Sequence, residues 1–233
     1  MIDTLLFDLD NTLLDFDKAE ANALTKALGD AGMTVTEEML SRYNKINLAQ
    51  WKLLEQGRMT REEVKIRRFK LLFQEFDIKV SPQEVARHYQ IYLGQGHYFI
   101  EGAEEVLQKL SKKYRIYLVT NGTLSVQRGR LKSSGIEKYL QGVFISEEIG
   151  YNKPSIEYFH KCFEQIPDFK KENTVIIGDS LSSDVQGGIN AGIKTIWFHR
   201  AQDLTEDPQP KPDYEINSLK FLFCLLYTSP SPR

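Results

Sequence analysis

The chain has 233 residues, of which 41% are hydrophobic and 27% are charged, and its 30 basic and 32 acidic side chains give a net charge of −2. This composition is typical of a globular protein and, without a basic surplus, argues against a partner that is a nucleic-acid polymer. The chain has only two cysteines, Cys162 and Cys224, which argues against a disulfide framework. Its longest apolar run, residues 221–226, is too short for a membrane span, so we predict a cytoplasmic protein.

The first third of the chain predicts one strand followed only by helices. An apolar run at residues 4–9 predicts a short buried strand. Four segments with apolar residues three and four positions apart then predict helices, and the last three open with a Ser or Thr cap: 16–31, 36–55, 60–76 and 81–93. Because no strand separates these helices, we expect residues 15–96 to form a helical cap that covers the strand ends.

Beyond residue 96, helices and apolar strands alternate. The predicted helices span 102–113, 124–134, 154–165 and 182–191, and the predicted strands span 115–120, 142–146, 174–178, 195–198 and 214–216. Such alternation is typical of a parallel sheet covered on both faces. The predicted fold class is therefore α/β, with a Rossmann-like core of residues 1–14 and 97–223 and an inserted all-helical cap domain.

The last ten residues, 224–233, differ from the rest of the chain. They show no periodicity and end in Ser-Pro repeats, and they resemble the in-frame translation of a sequencing adapter. We expect this segment to be a non-native tail, with the final helix of the core ending near Phe223.

Polar side chains lie at the ends of four of the predicted strands or just after them, at the edge where parallel sheets bind ligands. In chain order these are Asp8 and Asp10, Thr120 and Asn121, Lys153, and Asp179 and Asp184. Two bare carboxylates about 4 Å apart repel by about 4 kcal/mol at an effective dielectric of about 20, so such a cluster needs a cation or a proton. Oxygen ligands without His or Cys indicate a hard divalent ion, and carboxylates combined with a substrate phosphate suit Mg²⁺.

The ordered motifs DLDNT, TNG, KP and GDSLSSD, with helices inserted after the first strand, resemble the haloacid-dehalogenase (HAD) superfamily of phosphohydrolases with a C1-type cap. Within it, the runs TNGTLSVQRGRLKSSGI, SEEIGYNKPS and SDVQGGINAGIKTIWF are most similar to the bacterial house-cleaning pyrimidine 5′-nucleotidases. The resemblance implies an Mg²⁺-dependent phosphomonoester hydrolase that works through an aspartyl-phosphate intermediate on a small-molecule substrate.

The resemblance also implies catalytic roles. Asp8 would be the nucleophile, and Asp10 would protonate the leaving group and then activate water. Thr120 and the main-chain amide of Asn121 would bind the phosphoryl oxygens. Lys153 would offset negative charge on Asp8 and on the transferred group.

The implied metal ligands are a carboxylate oxygen of Asp8, the main-chain carbonyl of Asp10 and the side chain of Asp179. Asp184 would ligate the ion or hold a coordinated water. Lys18, on the linker that leaves the nucleophile loop for the predicted cap, is a further candidate for substrate binding.

Three functions remain open on the sequence. The first is a nucleoside 5′-monophosphate phosphatase that prefers pyrimidines, and the second is a phosphatase or phosphomutase for sugar phosphates or phosphoglycolate. The third is a non-hydrolytic phospho-receiver domain, although receivers lack a helical lid. A dehalogenase is disfavoured because its chemistry has no use for an acid at Asp10. Either a monomer or a dimer is compatible with these readings.

Overall fold

The computed structural model describes residues 1–200 and 207–227. Within them lies a six-stranded, fully parallel sheet with the order β3-β2-β1-β4-β5-β6. The strands are β1 Thr4–Phe7, β2 Arg115–Thr120, β3 Gly142–Ile145, β4 Thr174–Gly178, β5 Lys194–Phe198 and β6 Tyr214–Ile216. The predicted α/β fold with a parallel sheet is confirmed.

The first strand occupies the middle of the sheet. Leu5, Leu6 and Phe7 are fully buried, as expected for a parallel strand with neighbours on both edges and helices on both faces. Phe7 lies opposite Leu118 of β2 and Ile177 of β4. This register brings the carboxyl ends of three strands to one edge of the sheet.

The chain divides into two compact units. The sheet unit comprises Met1–Asp15, Phe99–Leu124 and the described residues from Ser134 onward. It holds α5 Ala103–Leu110, α7 Ser146–Ile149, α8 Ile156–Phe163, α9 Gln186–Ala191 and α10 Phe221–Tyr227. No helix in residues 1–200 and 207–227 combines the length and the apolar character needed to cross a membrane.

The helical unit comprises Phe16–Tyr98 and Ser125–Ser133. Its helices are α1 Phe16–Asp30, α2 Glu37–Glu55, α3 Arg61–Glu75 and α4 Pro82–Leu93, together with most of α6, Leu124–Ser134. Hydroxyl caps start three of them as predicted, because Thr36, Thr60 and Ser81 each accept a hydrogen bond from the amide three residues later. The inserted helices thus begin within one residue of their predicted positions.

One predicted helix has a different form. In place of a single helix over 182–191, a wide π-type turn spans Leu181–Val185 and α9 starts at Gln186. The amides of Asp184 and Val185 both donate to the carbonyl oxygen of Ser180, at 2.9 and 3.1 Å. This pair of hydrogen bonds widens the turn. Turns of this kind are frequent at functional sites.

The end of the described chain also differs from expectation. Helix α10 continues past Phe223 to Tyr227, and the Tyr114 hydroxyl donates to the carbonyl oxygen of Leu226 at 3.0 Å. The first four residues of the predicted non-native tail are therefore helical, because the apolar run extends the helical pattern. Residues 228–233 lie outside the described part of the chain.

A buried polar network runs through the helical unit. Glu20 accepts hydrogen bonds from the side-chain amides of Asn44, at 2.8 Å, and Asn47, at 2.6 Å. Arg68 donates to Asn47 Oδ1 at 2.8 Å and lies 4.7 Å from the centre of the Tyr89 ring. Burial raises the pKa of Glu20 to about 7, although Asn44 and Arg68 partly offset this effect.

We expect Glu20→Gln to flatten the pH dependence of stability. The pKa of Glu20 is about 7 in the folded protein against an ordinary value of 4.5, so the folded protein retains a proton that the unfolded chain loses between these values. This group therefore makes the free energy of unfolding fall by up to about 3 kcal/mol as the pH rises through that window. Glutamine does not titrate, so its free energy of unfolding lacks this pH-dependent loss. The free energy of unfolding of the variant, minus that of the wild type, should therefore be more positive at pH 8 than at pH 4.

The measurement is urea unfolding of both proteins across this pH range. Glu38→Gln, at an exposed position of α2, serves as the matched control and should follow the wild type. If the free energies of unfolding of Glu20→Gln and the wild type changed in parallel with pH, the raised pKa of Glu20 would be contradicted.

Candidate active site

Three carboxylates gather at the carboxyl edge of the sheet. Asp8 follows β1, Asp179 follows β4, and Asp184 lies in the wide turn that comes next. One oxygen of each lies within 4.8 Å of the others. The pairing of β1 with β4 continues past the strand, since the Asp8 amide donates to the carbonyl oxygen of Ile177 at 2.9 Å. Residues that are more than 170 positions apart therefore share one site.

The ammonium group of Lys153 lies between two of these carboxylates. Its Nζ donates to Asp8 Oδ1 and to Asp184 Oδ1, both at 2.6 Å, and to the carbonyl oxygen of Val119 at 2.8 Å. All three ammonium hydrogens are thus used, and the side chain is only 1% exposed. Lys153 therefore acts as a fixed positive charge inside the carboxylate cluster.

The side chain of Asn121 fixes the backbone of Lys153. Its Nδ2 donates to the Lys153 carbonyl oxygen and its Oδ1 accepts from the Lys153 amide, each at 2.9 Å. This two-way bond anchors the loop after β3 to the end of β2. The sequence predicted a role for the main-chain amide of Asn121 and missed the side chain, because the partner lies 32 residues away.

The electrostatics of the site favour an added cation. Burial raises the pKa of Asp8 to about 7; Lys153 opposes this shift, whereas Asp184 and Asp10 add to it. Burial and the charges of Asp8 and Asp184 hold the pKa of Asp179 well above its usual range. The pKa of Lys153 is raised, because the two carboxylates bonded to it outweigh the effect of its burial. When all three carboxylates are ionised, one ammonium leaves them with surplus negative charge, and this oxygen-only set fits a hard divalent cation.

The other predicted residues lie in different surroundings. Asp10 lies in a tight turn in which the Asn11 amide donates to the Leu14 carbonyl at 2.7 Å, and its charge raises the pKa of both Asp8 and Asp179. Its carboxylate is not one of the three that cluster.

Thr120 ends β2 and is fully buried, directly after the carbonyl of Val119 to which Lys153 donates. Lys18 is in the helical unit on α1, where its Nζ lies 4.8 Å from the centre of the Tyr98 ring. The structure thus brings Asp8, Lys153, Asp179 and Asp184 into one cluster.

A glycine leaves the space that Asp184 occupies. A β-carbon at Gly178, the last residue of β4, would lie 2.2 Å from Asp184 Oδ2. The sequence did not single out this position, although a Gly immediately before an Asp at a strand end is a readable signal for close approach. The small residue and the wide turn together place the Asp184 carboxylate against the sheet.

We expect Gly178→Ala to push Asp184 out of the cluster and to lower the free energy of unfolding by about 1–3 kcal/mol, the usual cost of overpacking. Urea unfolding measures the loss, and a crystal structure of the variant should show the bond from Lys153 to Asp184 broken. Gly29→Ala is the matched control, because a β-carbon there meets nothing within 4 Å. Equal stability of the two variants would refute the steric argument.

Known proteins are similar to this chain in sequence and in fold. The HAD-hydrolase YfnB of Bacillus subtilis is 40% identical over 224 residues, covering 96% of this chain and 94% of that protein. The pyrimidine 5′-nucleotidase PynA of Streptococcus pneumoniae is 42% identical over 223 residues, covering 95% of this chain and 94% of that protein. A crystal structure of YfnB bound to magnesium has a TM-score of 0.90 and 39% identity, covering 97% of this chain and 98% of that one.

The family described as haloacid dehalogenase-like hydrolase matches residues 5–198. This range begins in β1 and ends with β5, so it includes the three clustered carboxylates and Lys153 together with the inserted helices. The chain therefore belongs to the haloacid dehalogenase-like hydrolases, as its strand-end motifs predicted.

Proposed function

We propose that this hydrolase is an Mg²⁺-dependent phosphomonoesterase that acts on nucleoside 5′-monophosphates, with a preference for pyrimidines, through an aspartyl-phosphate on Asp8. The observation that carries the chemistry is the buried Asp8 carboxylate, bonded to Lys153 within a cluster that has surplus negative charge. The nucleotide substrate is supported by the similarity to PynA and by YjjG of Escherichia coli, also named a pyrimidine 5′-nucleotidase, at 28% identity over 224 residues.

In the proposed first step, the Asp8 carboxylate attacks phosphorus and the bond to the ester oxygen breaks. Asp10 gives its proton to the departing alkoxide, so a neutral alcohol leaves. Lys153 holds Asp8 Oδ1 at 2.6 Å and thereby orients the nucleophile. Thr120 and the Asn121 amide would bind the phosphoryl oxygens as charge develops on them.

In the second step, a water molecule attacks the phosphorus of the aspartyl-phosphate. Asp10, now ionised, accepts a proton from that water; the bond between phosphorus and Asp8 breaks, and inorganic phosphate is released. The Asp8 carboxylate and the protonated Asp10 are regenerated. Asp10 thus acts as the general acid in the first step and as the general base in the second, through the same carboxyl group.

The metal fits the residues present. Asp8, the main-chain carbonyl of Asp10 and Asp179 would hold Mg²⁺, and Asp184 would ligate it or hold a coordinated water. When bound, Mg²⁺ supplies positive charge that stabilises the transferred phosphoryl group. Within this proposal the sheet unit carries the chemistry, and residues 15–96 form the domain that selects the substrate.

A sugar phosphate is the second candidate class. The glyceraldehyde 3-phosphate phosphatase of Pyrococcus furiosus is 28% identical over 235 residues, covering 97% of this chain and 93% of that protein. The same core chemistry would serve both classes. Membership of a hydrolase family favours turnover over the phospho-receiver alternative.

A substrate panel with release of inorganic phosphate as the readout tests the proposed substrate. We expect UMP, dUMP, CMP and TMP to be hydrolysed with a kcat/KM at least about tenfold above that for ribose 5-phosphate or glyceraldehyde 3-phosphate, which is about 1.4 kcal/mol in transition-state binding. Removal of Mg²⁺ with a chelator should abolish the activity, and its return should restore it. Equal rates for nucleotides and sugar phosphates would refute the nucleotide preference but not the phosphatase chemistry.

Asp8→Asn should lower kcat by about 10³-fold or more, because the amide cannot form the acyl phosphate. Rapid acid quench with radiolabelled substrate should trap a covalent phosphate on the wild type and none on the variant. Asp77→Asn, at an exposed position of the helical unit, makes the same chemical change and should leave turnover intact. A labelled intermediate that persists on Asp8→Asn would exclude Asp8 as the nucleophile.

A further inference from the structure

The indole ring of Trp197 contacts the backbone of the site. Trp197 is the fourth residue of β5, is only 3% exposed, and lies opposite Gly178 in the pairing of β4 with β5. Its Nε1 donates to the carbonyl oxygen of Asp179 at 2.7 Å. The reaction steps proposed above make no use of this residue, and it carries no charge.

The bonded carbonyl belongs to a peptide unit that is held at both ends. The carbonyl oxygen of Asp179 accepts from Trp197, and the amide of the following residue, Ser180, donates to Asp184 Oδ2 at 3.1 Å. Because a peptide unit is planar and rigid, the two bonds fix its orientation together. One plane therefore links the indole to two of the three clustered carboxylates: Asp179 carries its side chain at one end, and Asp184 accepts its N–H at the other.

The indole is itself held in place. Its strand is paired on both edges, with β4 and with β6. The buried ring of His199 lies against it, with ring centres 4.5 Å apart. A donor fixed in this way restricts the rotation of the Asp179 backbone and so restricts where its carboxylate points.

We propose that Trp197 is a positioning residue of the metal site, which sets the spacing of the Asp179 and Asp184 carboxylates by holding the peptide between residues 179 and 180. The inference rests on the proposed function, since it concerns the same Mg²⁺ site. Hydrogen bonds to the groups that carry metal ligands commonly change metal affinity by about 10–100-fold.

Trp197→Phe tests the role, because it keeps a buried aromatic ring and removes the N–H donor. We expect the Mg²⁺ concentration for half-maximal phosphate release to rise about tenfold, with KM for the substrate little changed at saturating Mg²⁺. In thermal unfolding without substrate, the Mg²⁺ concentration that gives half of the full stabilisation should rise by the same factor. Trp51→Phe in the helical unit is the matched control and should match the wild type.

A second experiment uses the native residue and does not depend on how the variant folds. The chain has two tryptophans, so Trp51→Phe leaves Trp197 as the single indole fluorophore. We expect Mg²⁺ to change its emission, because a charge bound at Asp179 changes the electric field at the indole that is hydrogen-bonded to this residue. The Mg²⁺ concentration at half of this change should equal the one found by thermal unfolding. Adding Asp179→Asn to this protein should raise the Mg²⁺ concentration needed for that emission change by tenfold or more.

The outcomes separate the two proposals. A wild-type enzyme that hydrolyses phosphate esters without Mg²⁺ would overturn the proposed metal site itself. Two other outcomes would overturn the positioning role alone, provided that the wild-type enzyme responds to Mg²⁺. One is an unchanged Mg²⁺ midpoint in Trp197→Phe, and the other is a Trp197 emission that does not change when Mg²⁺ is added.

Discussion

The ammonium of Lys153, buried between Asp8 and Asp184, is the interaction on which the site depends. It joins three parts of the sheet unit, because its acceptors follow β1, lie in β2 and lie in the wide turn after β4. Removing one partner from such a buried pair commonly costs about 3–5 kcal/mol, since the remaining charge stays desolvated. The Lys153 ammonium therefore offsets the repulsion between these two carboxylates.

Three uncharged residues support this ion pair by fixing the backbone or by leaving space for a side chain. Asn121 bonds both polar groups of the Lys153 main chain, Trp197 holds the carbonyl of Asp179, and Gly178 leaves room for Asp184. Neutral groups can fix the geometry without changing the charge balance that a cation would meet. In the proposed metal site, the charged side chains would supply the ligands and the neutral neighbours would fix their positions.

Much of the fold was predictable because its signals are local. Apolar runs marked the strands, hydroxyl caps marked the helix starts, and acids at strand ends marked the site. The wide turn at Leu181–Val185 was not predictable, because it depends on two amides sharing the Ser180 carbonyl. The roles of Asn121 and Trp197 were also missed, since each joins residues 18 or 32 positions apart that only the folded sheet brings together.

The order of the strands has a consequence for synthesis on the ribosome. β1 is made before both of its partners, which are residues 115–120 and 174–178. Such non-local pairing forms slowly and only after loop closure, whereas the contiguous helices of Phe16–Tyr98 can assemble as they emerge. The apolar central strand therefore has no strand partner until residues 115–120 have been translated, and its second edge stays open until residues 174–178 follow. During that interval it is exposed to aggregation.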